Sequence, residues 1–114
     1  MFEGSVKGVV SIQNILEFYS VVTSPKSTPH PISYLTAIKE INKLNPPYFE
    51  IIYPQKDTLE IVKRLLVQAK IKAEKVYDLY LVATMLSNHI YTIITINEKD
   101  FLPFRNHIKI INPT

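Results

Sequence analysis

The sequence predicts an α/β domain in which helices flank a mostly parallel, four-stranded sheet. Short segments rich in β-branched residues alternate with segments of helical periodicity along the 114 residues. That length suits one small domain over residues 1–114, and we see no linker or internal repeat. Hydrophobic residues make up 46% and charged residues 20% of the chain, a composition typical of a packed core.

The first half of the chain contributes two strands and two helices to this prediction. Residues 7–11 are predicted to form a short buried strand. Ser11 is then expected to cap a helix whose apolar positions recur at helical spacing to about Val22. A loop rich in proline and serine precedes a second helix at about 32–44, in which Leu35 and Ile38 are expected to face the core. The sequence Asn-Pro-Pro at 45–47 is expected to stop this second helix, and a strand is predicted at 49–53.

The second half repeats the alternation. Asp57 and Glu60 have the spacing of a capping box before an apolar helix that reaches Ala69. A further helix is expected at about 74–87, followed by strands at 91–96 and 107–111. In parallel sheets ligands bind beyond the carboxyl ends of the strands, so the loop after residue 96 is a candidate site.

Composition excludes several classes of function. The chain has no cysteine, which rules out disulfides, thiolate metal sites and cysteine nucleophiles. The net charge of +3 comes without a dense basic cluster, so charge alone does not indicate nucleic-acid binding. No apolar run has the length of a membrane span and no signal peptide opens the chain, so we expect a cytoplasmic protein with no membrane partner. The three histidines lack ligand spacing, and we expect them at the surface.

Asp78 is the most informative residue because its helix, 76–84, is apolar almost all the way round. A buried carboxylate must be neutralised, paired or bound to metal. The alternative is that Asp78 merely complements the positive end of the helix macrodipole.

Other acidic and polar residues lie on neighbouring elements. Glu17 lies on the first predicted helix, and Asp100 follows the third strand. Either is also explained without a site, Glu17 as an exposed helix carboxylate and Asp100 as the cap of the next turn. Asn97 is a possible polar auxiliary or a simple turn residue. Ser11 and Thr95 are candidates for hydrogen bonds to the site carboxylates, with capping or strand packing equally good explanations. Carboxylates on separate elements suggest a site for a hard cation such as Mg²⁺ or Mn²⁺.

Three regions together resemble the PIN domain, the fold of VapC-type toxin ribonucleases. SIQNILEF at 11–18 is similar to the family's Ser-x5-Glu-Phe helix, and VYDLYLVAT at 76–84 resembles its Asp-x4-Ala-Thr helix. TINEKDF at 95–101 and IKIINP at 108–113 resemble the closing Thr-x-Asn-x2-Asp-Phe and Ile-x-Ile-x-Asn-Pro. Their order and spacing cover almost the whole chain.

The resemblance implies a PIN-like three-layer α/β/α sandwich and a metal-dependent endoribonuclease, the toxin of a toxin–antitoxin system. It implies that Glu17, Asp78 and Asp100 are both the catalytic and the metal-binding residues, with Mg²⁺ or Mn²⁺ as cofactor, RNA as substrate, and a homodimer and a small antitoxin as protein partners. PIN domains begin with a central strand that ends in Asp-Thr/Ser-Asn, and no such motif precedes Val9. We therefore expect an N-terminally truncated version with weak or absent metal binding and impaired activity.

Two other interpretations stay open. The chain is alternatively a non-catalytic PIN-like remnant that serves as an oligomeric or antitoxin-binding module. A flavodoxin-like or receiver-like domain is less well supported, because the chain has only two glycines and no glycine-rich phosphate loop.

Overall fold

A computed structural model describes residues 8–44 and 49–114 and confirms the α/β class. The chain divides into two compact units, one ending at Ile52 and the other running from Tyr53 to Thr114. They are described in turn as the N-terminal and C-terminal units. Within the described residues, every helix is too short or too polar to cross a membrane.

The N-terminal unit begins with a strand that passes directly into a helix. Strand β1 covers Gly8–Ser11 and helix α1 covers Ile12–Val22. Ser11 accepts a hydrogen bond from the Asn14 N–H (3.1 Å), and the Asn14 side chain accepts one from the Ser11 N–H (2.9 Å). This reciprocal pair satisfies two amide groups that the helix leaves unbonded, so the predicted cap at Ser11 is confirmed.

Helix α2 is shorter than the sequence predicts. It covers Tyr34–Ile41, and Ser33 caps it by accepting from the Thr36 N–H at 3.2 Å. Ala37 is its one buried residue, whereas Leu35 and Ile38 are 58% and 43% exposed, so their expected inward placement is wrong for this unit. The predicted stop at 45–47 lies outside the described residues.

Strand β2 covers Phe49–Ile52 and pairs in parallel with β1, with Val10 opposite Ile51 and Ser11 opposite Ile52. Few apolar side chains of this unit are buried. Leu16 is 63% exposed, and helix α1 contains no buried residue at all. The described part of the unit therefore has only a small core of its own.

The C-terminal unit opens with helix α3, Thr58–Ala69. Asp57 precedes it, but its backbone is helical (φ −93°, ψ 0°) and its side chain makes no capping bond. The predicted capping box with Glu60 is therefore wrong, because the reciprocal bonds need an extended residue before the helix. Thr58 takes over part of this role, since its Oγ1 accepts from the Gln55 N–H at 2.7 Å.

Helix α4, Val76–Ser87, is the centre of the C-terminal unit, as its apolar sequence predicts. A short 3₁₀ helix, Ala73–Lys75, leads into it. Its inner face packs on α3 and on the segment between 101 and 108. The fully buried members of this core are Leu79, Val82, Ala83 and Phe104.

Two short parallel strands complete the C-terminal unit. Strand β3 is Thr92–Ile94 and strand β4 is Lys109–Ile111, with Ile93 opposite Ile110. The connection between them contains two 3₁₀ turns, Glu98–Asp100 and Leu102–Phe104.

In the described part of the chain the strands pair two by two, β1 with β2 and β3 with β4. Parallel pairing of alternating strands is thus confirmed, and a single four-stranded sheet stays a prediction.

Candidate functional site

A shallow hollow lies at the carboxyl ends of β3 and β4, where a parallel sheet places its ligand sites. Its volume is about 370 Å³. The residues lining it come from the loop after β3 and the end of β4: Ile96, Asn97, Glu98, Lys99, Asp100 and Asn112. The hollow therefore contains two of the predicted site residues, Asn97 and Asp100.

Asp78 lies in the first turn of α4 and is half-buried. Burial raises the pKa of its carboxyl group above the ordinary value, and the neighbouring charge of Asp100 raises it further. The positive charge of Lys75 acts in the opposite direction. Because the Asp100 charge contributes to the rise at Asp78, these two predicted carboxylates lie within electrostatic range of each other in the C-terminal unit.

Asp100 is paired with a lysine that the sequence analysis did not select. The Nζ of Lys75 donates a hydrogen bond to Oδ1 of Asp100. Asp100 does not occupy the cap position foreseen for it, because it is the last residue of the 3₁₀ turn Glu98–Asp100 and Phe101 precedes the next turn. The hydrogen bond to Asp100 raises the pKa of the Lys75 ammonium, whereas burial lowers it. The negative charges of Asp100, Asp78 and Glu74 raise this pKa further.

Asn97 and Thr95 form the turn that leads into the hollow. The Asn97 N–H donates to Thr95 Oγ1 at 3.0 Å, which fixes the chain as it leaves β3. The hydroxyl of Thr95 thus supports the turn. The side chain of Asn97 is exposed and makes no capping bond to the 3₁₀ turn that follows it.

Ser11 and Glu17 belong to the N-terminal unit. Ser11 is buried and its hydroxyl accepts the capping bond of α1, which is the structural alternative foreseen for it. Glu17 is exposed on α1. Its grouping with Asp78 and Asp100 stays a prediction.

The donor set of the C-terminal unit fits a hard cation in part. Asp78 and Asp100 offer two carboxylates, and Asn97 lies in the same hollow as Asp100 with an amide oxygen to add. Oxygen donors of this kind suit Mg²⁺ or Mn²⁺. Within the described residues, however, no three acidic or histidine side chains form a complete ligand group.

Sequence reasoning missed Lys75, although a signal for it existed. It stands three residues before Asp78, the spacing that brings side chains together at a helix start. It also missed Glu98, whose Oε1 accepts from the Asn112 side chain at 3.4 Å across the mouth of the hollow.

A second surface of the C-terminal unit is apolar. A cavity of about 420 Å³ opens between α3 and the start of α4. Leu59 and Tyr77, which line it, are 61% and 67% exposed. Apolar side chains grouped in this way are typical of a surface that binds a partner.

No protein-family model matches the chain, and no curated protein matches it.

Proposed function

We propose that the chain is a PIN-like protein related in function to the metal-dependent endoribonuclease toxins. The observation that carries the proposal is that Asp100 lines a hollow at the carboxyl ends of two parallel strands and that its charge acts on the Asp78 carboxyl. These are the positions that the resemblance assigns to metal-binding acids. Glu17 would be the third acid, Asn97 a polar auxiliary, and RNA the substrate.

The pairing of the strands supports a PIN-like sheet. In the resembling fold a central strand lies between the equivalents of β1 and β3. A sheet of that order without its central strand consists of the pairs β1–β2 and β3–β4, and these are the pairs that the described residues form. We propose that both pairs belong to one α/β/α sandwich in a cytoplasmic protein.

The chemistry follows from what the acidic residues can hold. When bound, Mg²⁺ or Mn²⁺ lowers the pKa of a water molecule and stabilises negative charge on the scissile phosphate. Asp78 and Asp100 would provide anionic oxygens for that cation, and their mutual repulsion favours a cation between them. The fixed turn at Thr95 and Asn97 would hold the amide of Asn97 at the edge of the hollow.

Activity of the 114-residue chain is expected to be low. Affinity for a hard cation depends on the number of charged ligands, and this sequence supplies no acid from an Asp-Thr/Ser-Asn motif. The site should therefore fill only at high metal concentration.

The test is cleavage of a labelled single-stranded RNA by the purified chain at millimolar Mn²⁺. We expect slow cleavage that EDTA stops and that Asp78→Asn and Asp100→Asn each reduce by at least about tenfold. Asp57→Asn is the matched control, because Asp57 is an exposed aspartate that makes no capping bond. Cleavage that survives Asp78→Asn, or that needs no metal, would contradict the proposal.

A second candidate is the non-catalytic module that binds a second copy or a small antitoxin. The apolar cavity between α3 and α4 favours it. This candidate predicts no Mn²⁺-dependent cleavage at any metal concentration, together with stable association through that surface.

A further inference from the structure

The position of Lys75 suggests a role beyond a surface ion pair. Its ammonium group donates to Asp100, while the charges of Asp78 and Glu74 also act on it. Lys75 is the last residue of the 3₁₀ helix that runs into α4, so its backbone lies one turn before Asp78.

The ion pair is only partly exposed to water. The side chains of Lys75 and Asp100 are 40% and 36% exposed, whereas the ion pairs of Glu40 with Lys43 and of Glu60 with Lys63 involve more exposed lysines. Those two pairs join residues three apart on one helix. The Lys75 pair instead joins residues 25 apart, from the start of α4 and from the loop after β3. It therefore links the two elements that carry the acidic residues.

A positive charge beside these two carboxylates is favourable on electrostatic grounds. Lys75 pairs with Asp100 from the start of α4, the helix whose first turn carries Asp78, so its positive charge lies between the two elements and offsets the repulsion of their carboxylates. A divalent cation held by Asp78 and Asp100 would serve the same purpose. Bidentate binding by Asp100 would need the Oδ1 atom that accepts from Lys75, and the ammonium charge would repel a divalent cation at either oxygen.

We propose that Lys75 is a tethered counter-cation that competes with divalent metal for Asp78 and Asp100. The inference rests on the proposed function only in taking these two carboxylates as the metal ligands. In the metal-free protein Lys75 holds the acidic loop against α4, and metal enters only when Lys75 moves away. Lys75 thus weakens metal binding by competing with the metal for these carboxylates.

The experiment compares Mn²⁺ dissociation constants, measured from the electron paramagnetic resonance signal of free Mn²⁺. Lys75→Met removes the charge but keeps an unbranched side chain. Its Mn²⁺ affinity should exceed that of the wild type by up to about fivefold, the scale on which partly exposed ion pairs shift equilibria. Lys75→Met with Asp78→Asn should lose this gain.

Two matched variants distinguish the effect of the Lys75 ion pair from a general effect of protein charge on Mn²⁺ affinity. Lys75→Arg keeps the positive charge and should bind Mn²⁺ as weakly as the wild type. Lys63→Met removes a lysine charge and an ion pair from α3 of the same unit, outside the residues that line the hollow, and should change the affinity less than about twofold. Circular dichroism melts identify any variant that fails to fold, in which case Lys75→Gln replaces Lys75→Met.

Equal or weaker Mn²⁺ binding by a folded Lys75→Met protein would overturn the inference, as would a gain of the same size from Lys63→Met. RNA cleavage does not enter this readout. Tighter metal binding by a variant that cleaves no RNA would therefore support the inference about Lys75 and contradict the proposed ribonuclease activity.

Discussion

At the scale of single residues, the half-buried carboxyl of Asp78 makes stability depend on pH. Burial and the charge of Asp100 raise its pKa in the folded protein. A raised pKa means that the folded state favours the protonated form, so the stabilisation is present below the ordinary aspartate pKa of about 3.9 and is lost as the pH rises through the folded value.

We therefore expect Asp78→Asn to be more stable than the wild type at pH 7 without metal, and equal to it near pH 3. The gain should be about 0.5 kcal/mol, because water screens a carboxyl that is only half-buried. Urea unfolding at the two pH values measures it. A loss of stability in Asp78→Asn at pH 7 would instead show that the helix macrodipole dominates at this position.

A buried chain of hydroxyl groups gives a second prediction at this scale. Ser87 Oγ donates to the Thr84 carbonyl (3.0 Å), Thr58 Oγ1 bonds Ser87 Oγ (2.7 Å), and the Gln55 N–H donates to Thr58. Thr58→Val leaves these groups short of a partner and should lower the free energy of unfolding by about 1–2 kcal/mol. The exposed Thr92→Val is the control, with a change within about 0.5 kcal/mol. Equal effects of the two substitutions would contradict this account.

The sequence analysis selected Asp78 because a carboxylate stands out in an apolar helix, and Asp100 because it follows a predicted strand. It did not identify Lys75 as their partner. A long flexible lysine side chain can reach many groups. Which carboxylate it pairs with depends on how the loop after β3 packs against α4, and this is set by tertiary structure.

At the scale of elements, the N-terminus of α1 is stabilised by the Ser11 cap. Its hydroxyl and the Asn14 side chain satisfy two backbone amides, and Ser11 is 4% exposed. Ser11→Ala should lower the stability of the protein by about 1 kcal/mol. Ser20→Ala, at an exposed position on the same helix, should be neutral or slightly stabilising because alanine is the better helix former. A thermal melt in which both variants match the wild type would refute the cap.

Elements with strong local signals were predicted well, and those that depend on tertiary contacts were not. The apolar run of α4 and the cap of α1 are local features. Leu35 and Ile38 of α2 carry helical periodicity, yet the described part of their unit leaves them exposed. Asp57 and Glu60 have the spacing of a capping box, but the helical backbone at Asp57 prevents its bonds.

At the scale of the whole molecule, the large share of exposed apolar surface predicts association. Leu16 on α1 and Leu59 and Tyr77 at the cavity are more than half exposed. In the described part of the chain each strand pairs on one side only, and unpaired strand edges also favour contacts with another chain. We expect a homodimer with twice the chain mass of 13.2 kDa by light scattering at micromolar concentration. A monodisperse monomer would contradict this expectation.

The α/β class and the parallel pairing followed from the alternation of strands and helices. The same alternation predicted one sheet of four strands, whereas the described residues form the two pairs β1–β2 and β3–β4, so the single sheet stays a prediction. Strand order depends on long-range contacts that periodicity does not encode.

The central proposal is that Asp78 and Asp100 hold one divalent cation, with Glu17 as the proposed third acid. The most direct measurement is Mn²⁺ titration followed residue by residue as paramagnetic broadening in ¹⁵N–¹H NMR spectra. The account predicts that amide signals around Asp78, Asn97 and Asp100, and around Glu17 in α1, broaden first and together, and that Asp78→Asn suppresses the effect. Broadening that begins at other exposed acids such as Glu60, or that leaves the neighbourhood of Glu17 unchanged while Asp78 responds, would contradict a shared site.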